Sequence, residues 1–304
     1  MNGETVRRLL VCLLSSASLA AVADDASPIE DSASLTNSHW SGLPIWGEDA
    51  RARGFDIPLP FGVGFNIYHE EQPFNVTDLA VSGTSGNRVS VSQFIEVGQI
   101  ETKQNNYSAR LDTWLFPFLN VYGIVGYTSG QMNGTVFVPQ VSVGPIVIVP
   151  ATTLPLNIAY DGLTYGGGVT LAGGTRISTW RDLTLFVVAD GNYTRTPLNF
   201  RDEALDSDSI MTAWIASFRL GTRAKLSESV HASFWAGAMI QYVDQTLEGQ
   251  VSPLGIGFAV TEESEAPVNA LLGMRFELGT HWDFLVEGGI GTRTSIMGSL
   301  GFRF

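Results

Sequence analysis

Cysteine is almost missing: the 304-residue chain has one, Cys12, inside an apolar run near its start. Past that run there is no thiol for a disulfide, a nucleophile or a thiolate metal site. Charge is scarce too, at 15% of residues against roughly 25% in soluble domains. Basic residues are scarcer than acidic ones, 17 against 30 for a net charge of −13. No nucleic-acid partner is expected, because phosphate binding needs clustered Lys and Arg. No apolar run after the first reaches the roughly 20 residues of a spanning helix. What is abundant is glycine (33) and aromatic side chains (17 Phe, 7 Trp, 8 Tyr), in a chain that is 44% hydrophobic. Low charge with high glycine suggests one large folded unit solvated in part by something other than water.

The start reads as a processing signal. Arg7 and Arg8 precede the run Leu9 to Leu19, and Ala21, Val22 and Ala23 form a small-x-small site before Asp24. This is the pattern of a secretory signal peptide over residues 1–23, cleaved after Ala23. Residues 24–58 form an acidic, strand-poor leader containing Trp40 and Trp46, expected to lie in the periplasm or in association with a barrel lumen. Residues 59–304 carry the fold.

In that third part, hydrophobicity repeats every second residue. Val230, Ala232, Phe234, Ala236, Ala238, Ile240 and Tyr242 share one face, opposite His231, Ser233, Trp235, Gly237, Met239 and Gln241. Val268 to Leu278 shows the same parity, as does Ser295 to Phe304. Apolar faces of this kind are buried either between the sheets of a soluble sandwich or against lipid around a membrane barrel. The opposite faces mix glycine and hydroxyls with Arg219, Arg275, Glu277 and Glu287, as a polar lumen would. Connections alternate between short turns (Phe116 to Leu119, Ala224 to Ser229, Gly279 to Asp283) and long polar loops (Pro197 to Ser209, Thr246 to Glu265). Both features favour the barrel.

The last strand, with Ile296, Leu300, Phe302 and a terminal Phe304 in alternation, resembles that of bacterial outer-membrane β-barrel proteins. The resemblance implies an outer-membrane location, outer-membrane lipid as a partner, and insertion by the assembly machinery, with Phe302 and Phe304 as the insertion signal. The fold class expected is all-β: a transmembrane, antiparallel, up-and-down β-barrel with short periplasmic turns and long extracellular loops. Counting back from the C-terminus gives about twelve strands if Phe61 to His69, Phe74 to Ser82 and Val89 to Ile100 are separate, with turns at Glu70 to Pro73 and Gly83 to Arg88. It gives about ten if Glu70 to Asn106 is one external loop. Twelve is preferred here. Thr135 to Leu156, apolar and with four prolines, either folds over the mouth or extends two strands into a hairpin.

Chemistry-bearing patterns are few. His231 and Ser233 have the spacing of the His-Ser pair of outer-membrane lipid hydrolases, yet Phe234 stands where those enzymes place Asn, and a polar lumen lining explains the pair better. His69, Glu70 and Glu71 read as a solvated turn. His39 and His281 complete a histidine set without metal-ligand spacing, so no metal or cofactor is expected. Gly166 to Gly168 lacks the helix and Lys of a phosphate loop and reads as a strand bend.

The remaining candidates are the inward charges Arg110, Asp112, Asp190, Arg219, Arg275, Glu277, Glu287 and Arg303. They form either an ion-pair network that fills a narrow barrel or a charged constriction that sorts solutes. The expected function is a small-solute channel or porin-like pore. The alternative is a non-conducting structural or surface-interaction barrel, and a lipid hydrolase comes a distant third.

Overall fold

The computed structural model describes residues 42–53, 55–82, 88–90, 96–97, 100–138, 140–143, 146–149, 151–200, 209–251, 256–264 and 268–304. Eleven long strands carry the fold: β1 Phe61–Ser82, β2 Ile100–Phe116, β3 Leu119–Val138, β4 Thr152–Ser178, β5 Leu183–Pro197, β6 Ile210–Ser227, β7 Val230–Val251, β8 Ile256–Ser264, β9 Val268–Leu278, β10 Trp282–Ile290 and β11 Thr294–Arg303. All long pairings are antiparallel, and they join neighbours in sequence apart from β7 with β9 and those of β1 with β8 and β11. β1 also pairs with β11, from Gly62↔Arg303 to Glu71↔Thr294, and this closes the ring. Closure leaves the ten-stranded wall without an edge strand to template aggregation.

Ten strands form the wall, the alternative count rather than the preferred twelve. The expected turn at Glu70 to Pro73 does not exist: β1 runs unbroken from Phe61 to Ser82, pairing with β2 through Phe74↔Ile100. Polar residues there look turn-like in sequence because they sit on a strand whose inner face is polar. Val89 to Ile100 is not a wall strand either. Only Arg88–Ser90 and Glu96–Val97 make short pairings, while 83–87, 91–95 and 98–99 lie outside the described residues. The supposed loop Thr246 to Glu265 is largely strand, since β7 reaches Val251 and β8 follows. Thr135 to Leu156 extends β3 and β4 through Val138↔Thr152, and beyond them Val141–Val143 pairs with Ile146–Val149. Of the two readings for that segment, strand extension into a hairpin is the one seen.

β8 changes the shape of the wall. β1 pairs with β11 up to Glu71, then with β8 from Phe74↔Ser264 to Ser82↔Gly257. β7 pairs with β9 from Val230 to Ile240, then with β8 from Asp244↔Glu263 to Val251↔Ile256. Above the ends of β9, β10 and β11, a single strand therefore replaces three. Asn199–Phe200 continues β5 in the same register against β4. The ring has ten strands at the rim with the short turns and about eight toward the other rim.

The segment before β1 lies along the short-turn rim. The Ile45 amide donates to the Leu115 carbonyl at 2.8 Å, Trp46 packs 4.9 Å from Phe116, and Arg223 reaches Asp56 at 3.2 Å. Arg303 Nη1 donates to the Leu59 carbonyl at 2.9 Å. A short helix, α1 Gly47–Ala52, lies within this stretch. Residues 1–41, including the expected signal peptide and Trp40, fall outside the described residues.

Candidate functional site

The outer face decides which solvent the barrel meets. Large apolar side chains stand out along its wall: Phe65, Leu111, Val125, Leu163, Phe218, Phe234, Leu272 and Leu300 are all exposed. They occupy the parity that the sequence assigns to one face of each strand, and in water such a belt would drive aggregation. Its upper margin is aromatic. Tyr107 pairs with Tyr127 across β2 and β3, Tyr165 follows on β4, and Trp214 pairs with both Tyr193 and Tyr242 across β5, β6 and β7. The lower margin carries Phe61, Phe118, Trp180, Trp282 and Phe304. From Leu119 to Tyr127 the chain climbs about 20 Å along the axis, given a rise near 3.3 Å per residue and a tilt near 40°, close to the ~25 Å band of a spanning barrel. A closed antiparallel ring with a lipid-facing belt between two aromatic girdles settles the class.

The chain is an outer-membrane β-barrel. Its short-turn rim is accordingly periplasmic, and its extended, narrowed end projects outward.

Three levels succeed one another inside. The periplasmic half is a mesh of ion pairs, several of them between strands that are not neighbours. Arg219 on β6 makes a forked bond to Glu287 on β10, at 2.6 and 2.7 Å, and Trp235 Nε1 donates to the same carboxylate at 2.6 Å. Fork geometry and a third donor make this the strongest kind of internal pair. Gly273 is required beside it, because a Cβ there would collide with the Trp235 ring. Arg223 bonds Glu277 at 2.6 Å, and Arg275 lies between Asp283 at 3.1 Å and Glu277 at 3.7 Å. Arg303 pairs with Asp112, which also accepts from Asn120 at 2.6 Å. Arg110 donates to Asn120 at 2.8 Å and lies 3.6 Å over the Tyr122 ring, whose hydroxyl donates to Asp190 at 2.9 Å. Gly168 makes room for that ring, which accounts for one glycine of the run on β4. Solvent reaches this half only in part: Arg275 keeps 33% and Arg110 28% of its side-chain surface open, whereas Asp112 keeps 8% and Glu287 6%.

Above lies a dry waist. Glu70 accepts from Tyr68 at 3.1 Å, from Gln104 at 3.1 Å, and from Gln241 at 3.3 Å, the last from four strands away around the ring. Arg293, from the turn between β10 and β11, points Nε at Glu70 from 3.9 Å. Side-chain exposure falls to 3% for Glu70 and 1% for Arg293. On the opposite wall a hydroxyl row runs from Asn106 to Thr128 at 2.8 Å, to Thr164 at 2.6 Å and to Thr196 at 2.8 Å. The outermost level is apolar: Phe74, Ile100, Met132, Ile158, Tyr160, Leu198, Met211 and Val243 form one buried cluster, with contributions from β1 round to β7. An eight-stranded ring is just wide enough for side chains to fill, and this cluster fills it at its level.

All eight charges named from the sequence join the periplasmic mesh. Arg223, Asp283, Trp235 and Tyr122 belong with them, although the sequence reading does not single them out. Arg223 and Asp283 share the parity of Arg219 and Glu287 on their strands, so extending the alternation finds them. Arg293 and Glu70 carry no such signal, being a turn residue and a supposed turn residue. Of the histidines, His69 bonds Asn105 on the outer face, and His281 approaches the Arg303 carbonyl at 2.7 Å. Ser233 is buried beneath Arg275 in register, and no hydrogen bond joins it to His231 among the described residues. No cluster of three metal-ligating side chains occurs among the described residues.

No family model and no curated protein matches the chain. Solved structures similar to it include the outer membrane protein OprG from Pseudomonas aeruginosa, 14% identical with a TM-score of 0.36, over 82% of this chain and 100% of that one. The transport unit of the autotransporter AIDA-I from Escherichia coli is 7% identical with a TM-score of 0.39, over 81% and 90%. The toluene transporter TbuX of Ralstonia pickettii is 10% identical with a TM-score of 0.34, over 82% and 90%. At these values the likeness reaches no further than barrel architecture.

Proposed function

We propose that the barrel is a gated channel for small solutes, seen in its closed form. The observation that carries this reading is the contrast between a periplasmic half whose charges are paired and partly open to solvent and a waist in which several polar atoms are buried without partners among the described residues. A barrel built only as a scaffold gains by filling its interior with satisfied or apolar groups, as the outer end does. Arg110, Asp112, Asp190, Arg219, Arg275, Glu277, Glu287 and Arg303 set a polar field of both signs on the inner face of the wall, which suits selection of small solutes. The waist, by contrast, holds Arg293 with no hydrogen bond among the described residues, and Gln72, Gln241 and Asn269 each with at least one buried atom lacking a partner. Each such atom costs on the order of 1–3 kcal/mol. A seal of that kind is a conformer that a modest rearrangement can relieve.

Planar-bilayer recording tests this. Wild-type protein is expected to show brief, infrequent openings, and Phe74→Ala long ones, because the cap loses its largest apolar side chain. Changing Arg275 or Glu287 to Ala should shift ion selectivity among those openings. Silence from wild type and Phe74→Ala alike would contradict the channel. The competing reading, a surface-interaction barrel, draws on the strands that continue beyond the outer girdle. It requires that trimming residues 139–151 abolish partner binding while conductance stays absent.

A further inference from the structure

The waist contains a set of unused hydrogen-bonding atoms whose chemistry is specific. Nε, Nη1 and Nη2 of Arg293 are buried and without a hydrogen-bond partner among the described residues, as are Nδ2 and Oδ1 of Asn269, Oε1 of Gln72, Oε1 of Gln241 and Oγ1 of Thr102. These residues belong to one place. Gln241 bonds Glu70, and Arg293 faces the same carboxylate. Gln72 is the next residue after Glu70 on the inner face and pairs with Thr102 in register. Asn269 lies against the turn that carries Arg293, where a Cβ at Gly291 would strike its Oδ1. Buried polar groups in native proteins are almost always paired, so a concentration of this kind points to a ligand.

We infer that the waist is a binding site for a small, uncharged solute bearing several hydroxyl or amide groups. Glu70 already takes three neutral donors, so it answers Arg293 by charge at 3.9 Å and leaves the guanidinium N–H groups unused. Charge is thus balanced within the protein. A carboxylate added beside Glu70 would leave a net buried negative charge, which a dry site disfavours. What remains unmet is both donor and acceptor capacity: the guanidinium and the Asn269 amide nitrogen on one side, three side-chain carbonyls and a hydroxyl on the other. A polyol or small amide answers both. The apolar cap, with Phe74, Met132 and Tyr160, shuts such a solute away from external water.

This inference names the solute class for the channel proposed above, and binding can be read without conductance. Full-length protein folded in detergent micelles is dialysed to equilibrium against labelled erythritol, with acetate and toluene as separate probes. Saturable erythritol binding is expected, weakened about tenfold by Arg293→Met, the loss of hydrogen bonds to a charged group. The milder Gln72→Met, which removes one acceptor, should weaken it several-fold even if Arg293→Met fails to fold. The control Lys103→Gln, on the outer surface, should leave it unchanged. Absence of saturable erythritol uptake, equal uptake by Gln72→Met, preference for acetate, or binding of toluene alone would each overturn the site. Erythritol binding in a barrel that never conducts would sustain this inference and remove the channel, whereas conduction without binding would do the reverse.

Discussion

The two halves of the barrel solve the problem of an interior differently. The periplasmic half, ringed by ten strands, is filled by paired charges, some of which, such as Arg275 and Arg110, stay partly open to solvent. The outer half, where β8 stands in for β9, β10 and β11, carries just above the waist the dry apolar cluster that includes Phe74, Met132 and Tyr160. Ring size therefore sets whether inward residues form a lining or a core. The same outward parity, by contrast, serves lipid and then water on the way up: Ile67 is exposed in the belt, while Glu71 and Lys103, paired at 2.8 Å, mark the polar surface above it.

The comparison can be broken most forcefully in the cap. Phe74→Ala should cost about 3–5 kcal/mol, as large-to-small changes in a packed core do, seen as an earlier urea midpoint for the lipid-embedded protein. A loss below about 1 kcal/mol there would mean that the outer half is not a core. Next in size is Glu287→Ala, which strands Arg219 and Trp235. We expect about 3 kcal/mol, the cost of breaking a largely buried pair, measured in the same titration, with Glu287→Gln retaining part of it. Trp235→Phe removes one hydrogen bond to a charged group, and should cost about 1.5–3 kcal/mol. Asp56→Asn, at the exposed periplasmic rim, should change the midpoint by less than about 0.5 kcal/mol. A larger effect would make the segment before β1 part of the barrel's stability.

Much of this is legible in the alternation of side chains. The parity of Val230 to Val243 and of Val268 to Leu278 is the inside-outside pattern of β7 and β9, and inward Arg219, Arg275 and Glu287 come with it. The sequence favours twelve strands because Gly83 to Arg88 is short, polar and turn-forming; the other turn of that reading, Glu70 to Pro73, is strand, and local composition cannot tell a turn from a strand whose inner face is polar. The waist is illegible for the same reason: in sequence Glu70 belongs to a solvated turn, and Arg293 carries no pattern at all. Narrowing by β8 depends on pairing between distant segments, which no single-strand pattern carries. The hydroxyl row Thr128, Thr164, Thr196 likewise appears only once three strands are in register.

Thiol access inside the wall tests the central claim most directly, because the barrel-forming residues 59–304 contain no cysteine. Ser108 and Thr102 share the inner face of β2, the first in the periplasmic half and the second at the dry waist. Single substitutions Ser108→Cys and Thr102→Cys are exposed in turn to a small, charged, water-borne thiol reagent, with the barrel in sealed vesicles. The account predicts rapid modification at position 108 from the periplasmic side and strong protection at 102 from both sides. Equal labelling at the two positions would contradict it.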